Sequence, residues 1–249
     1  MVRTLPKQLI ARLPAALQWE LRRWQLARQV AAGRFRSEEP EWDQLATLVG
    51  PGDWAIDVGA NVGHYTHRLS VLVGATGRVI AFEPVPGTCA MLTSLVAGLR
   101  HQNVTVVNAA ASDATRPVLM ELPHFETGLV NYYRATVTTA PADGLARAEA
   151  LAVPIDALAL PGPVRLVKID AEGHEASVLA GMRGLLARCR PVVVMEGTGE
   201  APPELAALGY QVERIPGSPN GIWRAPPDAR ASSARGNGRE VRGNHIGPA

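Results

Sequence analysis

Cysteine is almost missing from this sequence: Cys89 and Cys189 are the only two in 249 residues. They stand far apart with no Cys-x-x-Cys, so neither a disulfide framework nor a zinc knuckle is indicated. Both fall in expected helices, where a small thiol serves as a buried hydrophobe. Aromatic residues are scarce at 5%, and charged residues, at 19%, fall below the usual quarter. No apolar run approaches the ~18 residues needed to cross a bilayer, and Arg12, Pro14 and Glu20 interrupt any signal-peptide stretch. The net charge of +2 is too small to indicate a nucleic-acid partner. The expectation is a soluble chain in a reducing, cytoplasmic setting. Glycine and proline are plentiful instead, at 24 and 20 residues, concentrated in turns and toward the C-terminus. With 47% apolar residues, the composition excludes a wholly disordered chain, a collagen-like chain and a long coiled coil.

Three regions are expected. Residues 1–40 form a basic helical extension in which Leu13, Leu17, Leu21 and Trp24 recur at helical spacing. Such a helix either packs on the domain with its arginines in water or makes weak contact with a membrane surface or anionic partner. Residues 226–249 are rich in Pro, Gly, Ser, Asn and Arg and lack large apolar side chains, the composition of a disordered tail. Between them, residues 41–225 alternate strand-like and helix-like runs. Strands are expected at Trp54–Val58, Arg78–Phe82, Val104–Asn108, Val164–Ile169 and Pro191–Met195. Helices are expected near 62–73, 88–99, 174–187 and 203–208. This is the pattern of βαβ units, hence an α/β fold with a doubly wound, mostly parallel sheet. A turn-rich insertion over 117–160 interrupts it.

In such a sheet ligands bind beyond the carboxyl ends of the strands. The first turn, Asp57-Val-Gly-Ala-Asn-Val-Gly63, contains Gly59 for a tight bend and Gly63 for close packing of the next helix on the strand. A strand-turn-helix with two glycines is also a common structural necessity. Glu83 ends the second strand, where a carboxylate accepts both hydrogen bonds of a ribose diol. The loop is Gly-x-x-x-Gly rather than Gly-x-Gly-x-x-Gly, which favours a single nucleoside with a charged tail over a pyrophosphate. S-adenosylmethionine fits that description. Ser112 and Asp113 follow the third strand, placed for an adenine edge or simply for a capped turn.

Asp57-Val-Gly-Ala-Asn-Val-Gly-His-Tyr65, Ala81-Phe-Glu-Pro84, Ala110-Ala-Ser-Asp113, Lys168-Ile-Asp-Ala-Glu-Gly-His-Glu175 and Val194-Met-Glu196 together resemble the FkbM family of S-adenosylmethionine-dependent methyltransferases over roughly residues 50–200. The resemblance implies a Rossmann-like class I methyltransferase fold and methyl transfer to a hydroxyl of a sugar, glycan or secondary metabolite. It implies that Asp57, Gly59, Asn61 and Gly63, with Ala60 in the same turn, hold the methionine part. Glu83 would then hold the ribose, with Ser112 and Asp113 near the adenine. The 117–160 insertion and both ends match nothing in the family, so the acceptor stays open.

For catalysis, Asp170, Glu172 and His174 follow a strand at the ligand face. His174, expected near a helix N-terminus, would be kept neutral by the dipole and is the leading general base. His64, His67 and His124 are alternatives. Asp170 with Glu172 could instead hold a hard divalent cation, a less favoured reading; no metal ligand set is otherwise expected. Competing functions are methylation of nucleic acid or protein, a non-catalytic nucleoside-binding module, and a nicotinamide-dependent enzyme. No nucleic-acid partner is expected.

Overall fold

The computed structural model describes residues 13–124, 130, 134–138, 144–197 and 199–227. Helix α1 (Ala15–Ala31) leads through a 3-10 turn at Pro40–Trp42 and the short α2 (Leu45–Leu48) into strand β1 (Trp54–Val58). Then follow α3 (His64–Val73), β2 (Arg78–Phe82), α4 (Pro86–Ala97) and β3 (Val104–Val107). After β4 (Ala110–Ala111), the insertion accounts for nearly all of β5 (Arg116–Leu122) and for β6 (Thr136–Thr138) and β7 (Ala146–Val153). The chain closes with β8 (Val164–Ile169), α5 (Glu175–Ala180), α6 (Arg183–Cys189), β9 (Val192–Glu196), α7 (Pro203–Ala206), β10 (Gln211–Arg214) and β11 (Asn220–Arg224).

The main sheet has the order β10-β11-β9-β8-β1-β2-β3. Strands β9, β8, β1, β2 and β3 pair in parallel, while β11 runs antiparallel to both β9 and β10. The expected α/β doubly wound sheet is therefore present, with an antiparallel hairpin at one edge that the alternation of elements did not predict. Period-two alternation divides β1 between two cores. Ile56 and Val58 face one side with Phe82, Val167, Leu179 and Leu185, and Ala55 faces the other with Leu69, Val73 and Leu45. Asp57 shares the face of Ala55, and Lys168 shares that of Leu166; the two are direct partners across β1 and β8.

Four expectations change. The single helix over 174–187 is two helices, because Asp156 holds the break from outside. Its N–H donates to Gly181 O, and its carboxylate accepts from Gly184 N at 2.7 Å and Leu185 N at 2.8 Å. The 117–160 insertion forms most of a second sheet, ordered β4-β7-β5-β6, whose Met120 and Leu122 pack beneath Val85. In α1, Trp19, Leu26 and Val30 make the docked face, against Phe35, Val62 and Met91. Of the stripe read from the sequence, Leu17 and Trp24 point outward, 52% and 54% exposed, while Leu13 and Leu21 are half-buried. Finally, Gly63 admits not the strand but the next crossover: with φ at +98°, a Cβ there would stand 2.5 Å from the Leu95 side chain. Cys89 is buried and Cys189 half-buried, both in helices as expected. The tail expected from 226 falls outside the described residues from 228 on, as do residues 131–133 of the insertion.

Replacing Asp156 removes the cap of α6 without touching the cleft described below. Asp156→Ala should lower stability by about 1 kcal/mol, the usual worth of an N-terminal cap. A urea denaturation series that leaves the midpoint unmoved contradicts this account of the helix break.

Candidate active site

A cleft opens where β1, β2 and β8 end, and its wall includes Asp57, Gly59, Asn61, Glu83, Lys168 and Asp170. Gly59 is forced by the topology. Its φ is +74°, and a Cβ would lie 1.9 Å from Asp170 O, so only glycine lets the ends of β1 and β8 approach. The Gly59 and Ala60 N–H groups both donate to Phe82 O, pinning the first turn against β2. Asn61 sits at φ 50° in the left-handed region, and its Oδ1 accepts from Val62 N at 2.8 Å.

Glu83 lies on the same rim. Its Oε2 accepts from Asn61 N at 2.8 Å and its Oε1 from Val85 N at 2.9 Å. Burial pushes its carboxyl up to about 7, against the lowering effect of these two hydrogen bonds, with Asp57 and Asp170 raising it further. Asp57 is fully buried: Oδ2 accepts from Thr66 Oγ1 at 2.6 Å, while Oδ1 has no partner. Burial raises its pKa and the Lys168 charge opposes the shift.

Lys168 is the residue that sequence reasoning left without a role. It is only 3% exposed, ion-paired to Asp170 Oδ2 at 2.8 Å, with Nζ 4.4 Å from the Tyr65 ring centroid. Burial alone would lower its pKa; the charges of Asp170 and Asp57 outweigh that and leave it raised, so it stays an ammonium. Tyr65 donates to Glu39 Oε2 at 2.5 Å, and burial followed by the Glu39 contact keeps the phenol protonated. Tyr65, Glu39 and Ser37 complete this side of the cleft. The signal for Lys168 was present, a charged residue at an inward position of the strand Val-Arg-Leu-Val-Lys-Ile. Glu39 gave none, because its segment reads as polar loop.

The residues expected to be catalytic meet those expected at the adenine. Asp170, Glu172 and His174 all line the cleft, whereas Ser112 is fully buried and is absent from the cleft wall, as is the exposed Asp113. Ser112 Oγ lies 3.0 Å from His174 Nε2 and donates to Asp113 Oδ1 at 2.9 Å, where Arg116 also donates at 2.8 Å. A serine has one proton to give, and an ionised Asp113 only accepts. Hydrogen-bond accounting therefore assigns the His174 proton to Nε2, donating to Ser112, and leaves Nδ1 as the ring's acceptor. Arg116 and Ser112 hold Asp113 below the usual carboxylate range, consistent with that direction.

His174 is the residue before α5, a helix of six residues, too short for the dipole argument to carry weight. Its pKa is nonetheless lowered, first by burial and then by Arg116. Glu172, at φ 34°, occupies the left-handed region that a side chain avoids, and burial raises its carboxyl. Among the alternatives, His64 lines the cleft and is pushed down to about 4 by burial and Arg22, His67 packs edge-on to Phe35, and His124 lies in an isolated bridge with Val130. Among the described residues, no three His, Cys, Asp or Glu side chains form a group able to hold a metal ion. The cleft is thus acidic, with several carboxylates around one committed lysine, and it suits a cationic ligand.

Structural comparison finds a methyltransferase FkbM from Methylobacillus flagellatus KT, 17% identical with a TM-score of 0.48. The match covers 75% of this chain and 50% of that one, so the chain spans half the length of that relative. An S-adenosylmethionine-dependent methyltransferase from Aquifex aeolicus is 17% identical with a TM-score of 0.42, over 74% and 88% of the two chains. An S-adenosylmethionine-dependent O-methyltransferase from Thermotoga maritima is 14% identical with a TM-score of 0.45, over 74% and 63%. No curated protein matches the chain. The methyltransferase FkbM domain matches residues 57–214, from the aspartate of the first turn to the last residue of β10, and the chain belongs to that family.

Proposed function

We propose that the cleft binds S-adenosylmethionine and transfers its methyl group to a hydroxyl oxygen of a sugar, glycan or secondary metabolite. The observation that carries the reading is the pair of buried carboxylates on one rim: Glu83, held by the Asn61 and Val85 N–H groups, and Asp57, with Oδ1 unpartnered. These groups fit the proposed cofactor. The free lone pairs of Glu83 would accept from the ribose hydroxyls, and Asp57 Oδ1 would accept from the α-ammonium. The surrounding negative charge favours a sulfonium over a phosphate. When bound, the cofactor supplies an already activated methyl group.

The remaining work falls to this chain. Orienting the acceptor oxygen can contribute about 7–11 kcal/mol, against roughly 3–5 kcal/mol from a general base. His174 is the proposed base: its Nδ1 takes the hydroxyl proton while Nε2–H stays anchored on Ser112. Lys168, paired with Asp170, keeps the charge of the rim fixed. Met120, Ala135 and Val137 supply apolar lining to the cleft, and Glu172, on the same wall, is the proposed polar contact for the acceptor.

Glu83 makes binding pH-dependent. The ligand selects the ionised carboxylate, whereas the free protein holds the proton up to about 7. Affinity should therefore rise with pH through that value, with proton release on binding at pH 6, as calorimetry in buffers of different ionisation enthalpy would show. Glu83→Gln should weaken binding by about 1–3 kcal/mol and flatten this dependence. An unchanged profile removes Glu83 from the ribose site. His174→Asn should leave cofactor affinity intact and slow turnover by about 10²-fold or more. Unchanged turnover makes His174 structural.

The function is tested by incubating the protein with methyl-labelled S-adenosylmethionine and separated cell metabolites, glycans, RNA and protein, then locating the label. Label on a hydroxyl oxygen of a small molecule or glycan supports the proposal, and label on RNA or protein overturns it. So does a titration in which NAD binds and S-adenosylmethionine does not.

A further inference from the structure

Two residues of α1, Leu17 and Trp24, belong to none of the apolar cores among the described residues. The helix docks through Trp19, Leu26 and Val30, leaving Leu17 and Trp24 more than half exposed. They are two of the four large exposed hydrophobics among the described residues, one helical face apart by two turns, with Ala27 and Ala31 exposed beside them. Arginines flank this face: the Arg28 guanidinium lies 4.6 Å from the Trp24 ring centroid, and Arg23 lies 5.4 Å from that of Trp19.

Charge is divided in the same way. Residues 1–36 carry eight basic side chains (Arg3, Lys7, Arg12, Arg22, Arg23, Arg28, Arg34 and Arg36) against Glu20, while the whole chain is only +2. Everything after Arg36 is therefore net acidic. Long cationic side chains bordering Leu and Trp are the composition of a helix that lies in the headgroup region, its apolar residues dipping below and its arginines meeting lipid phosphates.

We propose that α1 is an interfacial anchor, docking its Leu17–Trp24 face on a bilayer that contains anionic lipid. Nucleic acid would satisfy the arginines but has no use for Leu17, Ala27 and Ala31, which would face the polar backbone. A second copy of the chain would bring two strongly basic helices together, a contact opposed by their own charge. The helix lies in the surface rather than across it, since no helix among the described residues is long and apolar enough to span a membrane. It leads directly into the cleft: Phe35 stacks on His64 with ring centroids 4.2 Å apart, and Ser37 and Glu39 line the wall. Docking would hold the mouth of the cleft close to the bilayer.

The test is flotation of the full chain with vesicles of phosphatidylcholine alone and of phosphatidylcholine mixed equally with phosphatidylglycerol. Binding is expected only to the anionic vesicles, accompanied by a blue shift in tryptophan emission. Raising salt from ~0.1 M to ~1 M, which shortens the screening length from about 10 Å to about 3 Å, should release the protein. The double variants Leu17→Glu/Trp24→Glu and Arg23→Gln/Arg28→Gln should each weaken binding by about tenfold or more, with the thermal transition and far-ultraviolet dichroism showing that both stay folded. Four results overturn the proposal: no binding to either vesicle, equal binding to both, retention on RNA in place of vesicles, or a dimer in sedimentation velocity that Leu17→Glu/Trp24→Glu dissolves.

Discussion

The arrangement depends on the carboxylate of Glu83. It accepts N–H groups from two different connections, Asn61 after β1 and Val85 after β2, and so sets the spacing of the two turns that shape the cleft. A buried carboxylate in this position resists ionisation, and its proton is held to about 7. That tension is useful at a binding site. The group is rigid because two backbone donors fix it, and it retains acceptor capacity because each oxygen has further lone pairs. An amide in its place would offer a single acceptor oxygen to the two donors, where the carboxyl offers one oxygen to each.

A second polar cluster binds the N-terminal arm to the same rim. Glu41 is fully buried and accepts from Ser218 Oγ at 2.7 Å and from Asn220 Nδ2, and it lies 3.3 Å from the Tyr65 OH, whose proton goes to Glu39. Tyr65 also reaches Glu39, and its ring lies beneath the Lys168 ammonium. The segment before β1 is therefore joined to the β9–β11 edge through Glu41 and to the β1–β8 pair through Tyr65. Burying such groups stabilises the fold only when every partner is present, so the cluster gives the arm a single position rather than extra stability.

The parallel sheet was legible because β1, β2, β8 and β9 are short, mostly apolar runs with few polar interruptions, the mark of strands covered on both faces. The place of Asp57, Gly59 and Glu83 on the cleft wall was legible because the crevice of such a sheet lies beyond its strand ends. The edge hairpin was not. Gln211–Arg214 is short and largely exposed, and Asn220–Arg224 opens with Asn-Gly, so neither carries an apolar periodicity. Leu13, Leu17, Leu21 and Trp24 have helical spacing, but spacing alone cannot say which of two apolar faces docks. The contact between Ser112 and His174 joins residues 62 apart in sequence, beyond any local pattern. The break at Gly181 is imposed by Asp156 from another element, equally invisible to a window moving along the chain.

Strain shows where the fold yields to the site. Two non-glycine residues of the cleft wall, Asn61 at φ 50° and Glu172 at φ 34°, occupy backbone space that normally costs of order 1–3 kcal/mol. The asparagine answers part of that cost locally, because its Oδ1 accepts the next N–H and its own N–H is taken by Glu83. Among the described residues the Glu172 side chain makes no comparable local bond; it stands on the cleft wall, its carboxyl raised by burial against the opposing charge of Arg134. A carboxylate held in an unfavourable backbone state and partly desolvated gains from a hydrogen-bond donor entering the cleft. That property suits a wall residue open to an incoming ligand, whereas Asn61 belongs to the frame of the first turn.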